Sequence, residues 1–318
     1  MPPIVKVEEA LKNMDEKLLS KSQIDALLRE YLKDEEISEY ESINEPGIQW
    51  EKQEEYMIGL HIIPSSKLKL AIWGYVLEYQ EGYESTMLNT NMLSKACNEI
   101  YKNKLIQQIF TYILTIGNIL NAGSPKGQAD GFSLDALPKL SSVKDNTGKT
   151  VIHYISSLLK KQDETMVQIR NNFPSMSEAS KTSFAEVMSA LNKLKKDCRE
   201  HKANLEKISV QDEFTTKAKI EFDKFTKQLE EADKKYADAI KFFQEVVTFY
   251  GYTQNDSKYK NPEEFFNLLD EFLAEIDRSM PKNEPKKVFN RKHEVGKKVT
   301  ENSNNMDALL KQLKSTIS

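Results

Sequence analysis

Apolar side chains recur at alternating steps of three and four residues through most of residues 183–250. This spacing puts them on one face of an α-helix, and two seams of about four heptads each are typical of coiled-coil-like helices. Polar residues near 209–213 separate the two seams. The first seam contains Phe184, Val187, Leu191, Leu194, Cys198, His201, Leu205 and Ile208, and the second contains Phe222, Phe225, Leu229, Ala232, Tyr236, Ala239, Phe243, Val246 and Tyr250.

The polar interruption leaves two arrangements of these seams open. One continuous helix over residues 183–250 would extend about 100 Å, because an α-helix rises about 1.5 Å per residue. A hairpin folded near residue 211 would halve that length. In either case the sequence predicts an elongated molecule.

Helical patterns also fill the N-terminal third of the chain. We predict helices within residues 4–32, and we expect Ser22 to be the N-cap of the second one. The Pro64-Ser65-Ser66 triplet predicts the start of the next helix. A strongly apolar stretch, residues 93–116, predicts one buried helix that ends at Gly117.

Two further helices follow. One is expected to begin at Val151, with Pro174 marking its end, and the last begins with Pro262 at its first position. No stretch alternates apolar and polar residues in the manner of a half-buried strand. The sequence therefore predicts an all-α fold.

Residues 117–132, GNILNAGSPKGQADGF, contain four of the 11 glycines in the chain. By contrast, residues 149–250 contain none. One interpretation is a plain loop, in which Gly117 ends a helix and the asparagines cap turns. The plain interpretation does not account for the longer motif in which Asn118 and Asn121 lie.

Composition and charge narrow the class of protein. The formal net charge of −4 argues against general nucleic-acid binding, and no apolar run is long enough to span a bilayer. Two distant cysteines, Cys97 and Cys198, fit a reducing compartment, so we expect a cytoplasmic protein. Residues 34–55 are acidic, and residues 282–298 are basic and contain few apolar residues, which predicts a linker.

The residues that usually carry catalysis or bind metals are scattered. The four histidines, His61, His153, His201 and His293, lie far apart, and neither cysteine belongs to a C-x-x-C pair. The glycine-rich stretch does not match a phosphate-binding loop. We therefore expect no enzyme activity, no metal site and no cofactor.

A long compound motif surrounds the glycine-rich stretch. The order GN-x-x-N-A-G, G-x-A-x-G-F, L-x-x-L-x-K-L and K-D resembles the hallmark of the formin homology 2 domain, the actin-assembly domain of formins. Its residues are Gly117, Asn118, Asn121, Gly123, Gly127, Ala129, Gly131, Phe132, Leu134, Leu137, Lys139, Leu140, Lys144 and Asp145. VIHY at 151–154 and PEEFF at 262–266 continue the resemblance in the family's order, over roughly residues 4–280.

This resemblance implies an all-helical, crescent-shaped module that grips the barbed end of an actin filament. In the family, a lasso segment of one subunit wraps the post of another, which makes a ring-shaped dimer. The implied divisions are a knob-like region at 1–95, a post-like region at 96–172, coiled-coil-like and closing helices at 173–280, a basic linker at 281–300 and an amphipathic helix at 301–318.

The resemblance also implies roles for individual residues. The post surface that receives the lasso is expected to contain Gly117, Asn118, Asn121, Gly123, Gly127, Gly131 and Phe132. Asparagine amides there could satisfy the backbone of the docked segment. Lys144 matches a lysine with which the family contacts actin, and Lys139 is also expected to bind actin.

Other parts of the family pattern fall outside this sequence. The lasso tryptophan, the linker and an apolar knob residue that contacts actin all match positions before residue 1. Trp50 and Trp73 lie too far into the chain to replace that tryptophan. We therefore expect an N-terminally truncated domain that is monomeric, or dimeric through another contact, and that lacks processive activity.

The C-terminal residues form a second pattern. Met306, Leu309, Leu310 and Leu313 lie on one helical face, and Asp307 lies near its start. One interpretation is a helix that packs on its own protein. Alternatively, M-D-x-L-L-x-x-L resembles the autoregulatory segment of diaphanous-type formins, which docks into an inhibitory domain of the same protein until a Rho-type GTPase releases it.

Two hypotheses for the function follow from the sequence. The first is the actin-binding core of a formin, which nucleates, elongates or caps filaments, with the inhibitory domain, a Rho-type GTPase and profilin as further partners. The second is a helical scaffold that bundles filaments or binds microtubules through side contacts.

Overall fold

The computed structural model describes residues 2–43, 50–125, 127–145, 147–163, 168–253 and 260–281. Over these residues the chain forms eleven α-helices and two short 3-10 helices. These residues contain no β-strand, and their one isolated bridge pairs Lys144 with Thr150. The predicted all-α fold is confirmed.

The α-helices are numbered in chain order. They are α1 Ile4–Asn13, α2 Lys21–Arg29, α3 Asp34–Ile43, α4 Lys52–Ile62, α5 Ser66–Ile100, α6 Lys104–Leu120, α7 Val151–Gln162, α8 Pro174–Ala179, α9 Phe184–Glu206, α10 Glu213–Phe249 and α11 Pro262–Arg278. The 3-10 helices are Leu134–Lys139 and Ile169–Asn172. In the part of the chain that is described, none of these helices is both long and apolar enough to cross a bilayer.

The chain divides into two compact units. Unit 1 consists of Met1–Lys95, Lys181–Glu245 and Lys260–Glu263, and unit 2 consists of Ala96–Ser180, Val246–Tyr259 and Glu264–Ser318. Each unit contains one of the two cysteines. Cys198 in unit 1 and Cys97 in unit 2 are both buried and not disulfide-bonded.

Helices α9 and α10 form a long hairpin that lies in unit 1 except for the last residues of α10, which follow Glu245. At its open end, the Tyr236 hydroxyl donates a hydrogen bond to the Phe184 carbonyl over 2.8 Å. Nearer the turn, Lys202 forms an ion pair with Asp223 at 3.0 Å. These contacts run in opposite chain directions, so the hairpin is the correct one of the two arrangements that the sequence allowed.

The predicted seams form the buried faces of this hairpin. Fourteen of their seventeen residues are buried, and the other three, Leu194, His201 and Tyr250, are partly buried. In the α9–α10 turn, the Asp212 carboxylate accepts a 3.0 Å hydrogen bond from the Thr215 amide and forms an ion pair with the buried Lys69. Burial of the apolar seams stabilises the hairpin, and the contacts of Asp212 fix the position at which the chain reverses.

The structure corrects four predicted helix boundaries. Ser20, rather than Ser22, caps α2, because its hydroxyl and the Gln23 side chain form a capping box. Residues 93–116 form parts of two helices rather than one. The chain turns between them at Lys102, whose φ is 53°, and Asn103 caps α6 through the Leu105 and Ile106 amides.

The third and fourth corrections concern Pro174 and Gly117. Pro174 does not end a helix but opens α8, where its missing N–H costs nothing. Gly117 likewise does not end α6, which continues to Leu120. The remaining boundary predictions are confirmed, because α5 begins at Ser66, α7 at Val151 and α11 at Pro262.

In unit 2, ionic contacts join α11 to the segment before α8. The Arg170 guanidinium donates two hydrogen bonds of 2.6 Å to the buried Asp270 carboxylate. The Asp277 carboxylate accepts hydrogen bonds from the Ile169 and Arg170 amides. The Ser156 hydroxyl of α7 donates to the Ile276 carbonyl over 3.0 Å. These contacts join α7, the 3-10 helix Ile169–Asn172 and α11 into one body.

Candidate functional site

The end of α6 carries the first half of the compound motif. Gly117 and Asn118 lie in its last turn, and Asn121 is its C-cap. The Asn121 side chain donates a hydrogen bond of 2.8 Å to the Gly117 carbonyl, and its backbone amide donates to the same oxygen. Asn121 therefore closes the helix on which Asn118 stands.

Asn118 fastens the loop that follows this helix. Its side-chain Nδ2 donates to the Ala129 carbonyl, and its Oδ1 accepts from the Ala129 amide, both at 2.9 Å. This two-point contact imitates a pair of backbone hydrogen bonds and closes residues 118–129 into a ring. Both functional groups of the Asn118 amide thus hold their own loop, which matches the interpretation of this stretch as a plain loop whose asparagines cap turns, while the binding of a docked segment by these amides stays a prediction.

The ring is tight where its glycines lie. A Cβ atom at Gly127 would lie 2.4 Å from the Asn121 carbonyl oxygen, which is closer than any side chain allows. Gly123 has a φ of +81°, which disfavours other residues. Around Gly117 and Gly131, by contrast, nothing lies within 4 Å of the same position. Gly123 and Gly127 therefore make the turn possible, while Gly117 and Gly131 leave the surface free of side chains.

This loop lies on the surface of unit 2. Residues 120–125 are all exposed, and Leu120 has 60% of its surface accessible. At the other end, Phe132 is half-buried and packs against Phe110, with ring centroids 5.4 Å apart. The loop thus has an anchored base and an accessible, side-chain-poor rim.

Lys139 and Lys144 lie further along the same unit. Lys139 ends the 3-10 helix Leu134–Lys139, and Lys144 begins a short turn that closes at Thr150. Both side chains are exposed. At the start of that 3-10 helix, the Leu134 amide donates to the Tyr252 hydroxyl over 3.0 Å, which fixes the base of the segment.

The turn after Lys144 is organised by Asp145. Its Oδ1 accepts hydrogen bonds from the Thr147 amide at 2.8 Å and the Lys149 amide at 2.9 Å. The Tyr154 hydroxyl of α7 donates to Oδ2 of the same carboxylate. Hydrogen bonding from Tyr154 first, and then from Thr147 and Lys149, holds the pKa of Asp145 well below its usual range.

Tyr154 is held by the start of its own helix. Thr150 caps α7, and its hydroxyl and the His153 ring nitrogen Nδ1 are 2.8 Å apart. Partial burial, together with the hydrogen bond to Asp145, raises the pKa of Tyr154 to about 12. The hydroxyl therefore remains a donor throughout the physiological pH range.

The compound motif contains Asp145, but the motif alone does not indicate a structural role for this residue. The signal was present in D-x-T-G at 145–148, because an aspartate followed by threonine and glycine is typical of a side chain that caps its own turn. Tyr154 could not be found in this way, because nothing in the sequence near Tyr154 reveals that its hydroxyl reaches Asp145.

Comparison with known proteins identifies the family of the chain. The family model of the Formin Homology 2 Domain matches residues 1–277, which is most of the chain. The chain belongs to this family.

Individual formins are similar to this formin homology 2 domain over much of its length. Formin-G of Dictyostelium discoideum is 25% identical over 299 residues, which cover 89% of this chain and 27% of that protein. Protein diaphanous homolog 3 of Rattus norvegicus is 24% identical over 293 residues, covering 88% and 24%. Formin-like protein 21b of Arabidopsis thaliana is 29% identical over 195 residues, covering 60% and 48%. The chain thus spans less than half the length of each of these relatives.

Within this formin homology 2 domain, the predicted site residues fall into three sets. The predicted lasso-docking residues lie in the last turn of α6 and in the loop that follows it, both in unit 2, and their docking role stays a prediction. Lys139 and Lys144 lie on a second segment of the same unit and are exposed. The autoregulatory residues, Met306, Asp307, Leu309, Leu310 and Leu313, lie outside the described residues, as does most of the predicted basic linker at 281–300.

Proposed function

We propose that this formin homology 2 domain binds actin and acts at filament barbed ends, where it nucleates, elongates or caps filaments. The observation that carries the proposal is the family match over residues 1–277. It is supported by the surface position of both predicted contact segments, residues 117–132 and the exposed Lys139 and Lys144. A site buried in the core of unit 2 would have been incompatible with it.

The loop of residues 117–132 receives a lasso segment from a second subunit in this proposal. A docked backbone needs a surface with few side chains and little freedom, because each group that must be ordered on binding weakens the affinity. The bare surface around Gly117 and Gly131 meets the first need. The Asn118 contact with Ala129 meets the second, since it fixes the loop before any partner arrives.

Lys144 is proposed to contact an acidic group of actin. An exposed ion pair contributes only about 0–1 kcal/mol, because water screens it and side-chain entropy opposes it. Once the pair is desolvated in an interface, removing one partner costs about 2–5 kcal/mol. The proposal therefore needs Lys144 to be enclosed by actin on binding, with Lys139 nearer the rim of the contact.

The experiment follows pyrene-labelled actin elongating from filament seeds with and without the protein. We expect a version extended at its N-terminus by the family's lasso and linker to change barbed-end growth, and we expect Lys144→Asp in that version to abolish the change. Lys241→Asp, at an exposed position of α10, is the matched control with the same change of charge and should behave as wild type. Binding along filament sides without any effect on growth would instead support a bundling scaffold.

We further propose that residues 301–318 form an autoregulatory helix for the inhibitory domain of the same protein, released by a Rho-type GTPase. Support comes from the spacing of Met306, Leu309, Leu310 and Leu313, which suits a helix that docks in a groove. Changing both Leu309 and Leu310 to Ala should abolish binding to that domain in a pull-down or by calorimetry. Unchanged affinity would contradict the assignment.

A further inference from the structure

We propose that Asp145 is a positioning residue, which holds the turn of residues 143–149 in the conformation that presents Lys144 to actin. The inference rests on the proposed function, because it concerns the same contact. It assigns Asp145 no direct contact with the partner. Its role is carried by the hydrogen bonds that its carboxylate accepts from its own chain.

The geometry of the turn supports this role. One oxygen of Asp145 accepts both the Thr147 and Lys149 amides, and the Thr147 hydroxyl donates to both oxygens at 2.8 and 3.0 Å. Backbone hydrogen bonds close the turn from the Asp145 amide to the Lys149 carbonyl and from the Val151 amide to the Val143 carbonyl. Gly148, with a φ of +83°, permits the reversal. The carboxylate thus lies at the centre of the turn.

Tyr154 links this turn to the body of unit 2. Its hydroxyl donates to the carboxylate oxygen that neither backbone amide uses. Tyr154 stands on the first turn of α7, whose Val151, Ile152 and Ile155 are buried. Because α7 is packed through these buried residues, the hydrogen bond from Tyr154 holds the turn, and with it Lys144, in a fixed position relative to α7.

The sign of the charge distinguishes positioning from direct binding. A carboxylate next to Lys144 should weaken attraction to an acidic partner, so deleting its charge should strengthen binding if electrostatics alone mattered. If Asp145 positions the turn, deleting its hydrogen bonds should weaken binding instead. The two accounts therefore predict opposite changes in affinity for one substitution.

The test measures actin affinity for two variants at this position. Asp145→Ala removes every acceptor, and we expect binding to weaken about tenfold, because the turn loses its central contacts. Asp145→Asn removes the same charge but keeps one oxygen for the two amides, and we expect affinity within about threefold of wild type. Asp238→Ala, at an exposed position of α10, is the matched control and should bind as wild type.

A structural measurement accompanies the affinities. Hydrogen exchange of the Thr147 and Lys149 amides should become at least about tenfold faster in Asp145→Ala, while exchange in the core of α7 stays unchanged. Tyr154→Phe provides a second variant without any charge change. It should speed the same amides and weaken binding by about threefold, because the turn loses its link to α7.

The outcomes separate this inference from the proposed function. If Lys144→Ala weakens binding but Asp145→Ala and Tyr154→Phe bind as tightly as wild type, the positioning role is wrong and the actin contact stands. If Lys144→Ala itself changes nothing, both the contact and its positioning are overturned. Weakened binding by Lys144→Ala and Asp145→Ala, with rescue by Asp145→Asn, supports both.

Discussion

The α9–α10 hairpin of unit 1 and the two surface segments of unit 2 are held together by different forces. The hairpin buries a periodic row of large apolar side chains, such as Phe222 and Phe225, and each buried ring contributes about 1.5–3 kcal/mol. The segments of unit 2 depend on single polar side chains, Asn118 and Asp145, that bind backbone groups. The first kind of order is spread over many residues, while the second depends on one residue at a time.

This difference matters for how each region tolerates change. A seam position can exchange one apolar residue for another of similar size at a cost of about 1.5 kcal/mol or less. Asn118 has no such substitute, because it must donate and accept at the same peptide group. We therefore expect the hairpin seams to tolerate conservative apolar substitutions, and we expect the surface segments of unit 2 to lose local structure when a substitution removes the hydrogen bonds of Asn118 or Asp145.

The largest expected effect comes from the hairpin core. Phe225 is 2% exposed, and its ring stacks on Tyr79 with centroids 3.7 Å apart. Phe225→Ala should lower the free energy of unfolding by about 3–5 kcal/mol, because it removes buried surface and leaves a cavity. Urea denaturation measures this, with Lys227→Ala on the exposed face of α10 as the control. A loss below about 1 kcal/mol would mean that the seam is not the source of stability.

A smaller, local effect is expected at Asn118. Asn118→Ala removes both hydrogen bonds to Ala129 and leaves two backbone groups unpaired, which should cost about 1–3 kcal/mol. Asn121→Ala loses one exposed bond within its own helix and should cost less. Thermal unfolding compares the two, and hydrogen exchange of the Ala129 amide locates the loss. Equal losses of stability in the two variants would show that Asn118 is no more important to the loop than Asn121.

A cap in unit 1 shows whether single polar contacts matter there as well. Ser20→Ala deletes the capping box of α2 and should cost about 1 kcal/mol of unfolding free energy. Ser22→Ala, two residues later inside the helix, should change stability by less than about 0.5 kcal/mol. Chemical denaturation of both variants decides between the two serines. The reverse order of effects would restore Ser22 as the cap.

The smallest expected effect is the response of the Asp145 turn to acid. The pKa of this carboxyl is lowered on folding, so its stabilising contribution is present above the unfolded value, about 3.9, and is lost only as the pH falls through the folded value well below it. Amide exchange at Thr147 and Lys149 should therefore stay slow, relative to the intrinsic rate, at pH 4. Loss of protection at the pH where ordinary aspartates titrate would contradict this.

The same contrast explains what the sequence could predict. The seams of α9 and α10 were predictable residue by residue, because burial repeats at helical spacing and a long pattern averages out local exceptions. The fold class followed for the same reason. The sequence left the hairpin undecided against one long helix, since the contact that fixes the turn joins Asp212 to Lys69, 143 residues apart in the chain.

The site was predictable as a set of residues but not as a geometry. The motif identified Asn118 and Asp145, yet their partners Ala129 and Tyr154 follow from tertiary structure that no local spacing encodes. The helix break at Lys102 was missed for a related reason. Apolar residues continue on both sides of it, and the two helices are separated only locally, by the positive φ of Lys102 and the Asn103 cap.

The two buried cysteines can report local opening of the chain around them. Burial raises the pKa of the Cys97 thiol to about 12 and also raises that of Cys198, so neither forms a reactive thiolate while the chain around it is closed. Because one lies in each compact unit, the rates at which a thiol reagent labels them follow the two units separately. Labelling of the two native cysteines therefore measures the opening of each unit without an engineered probe.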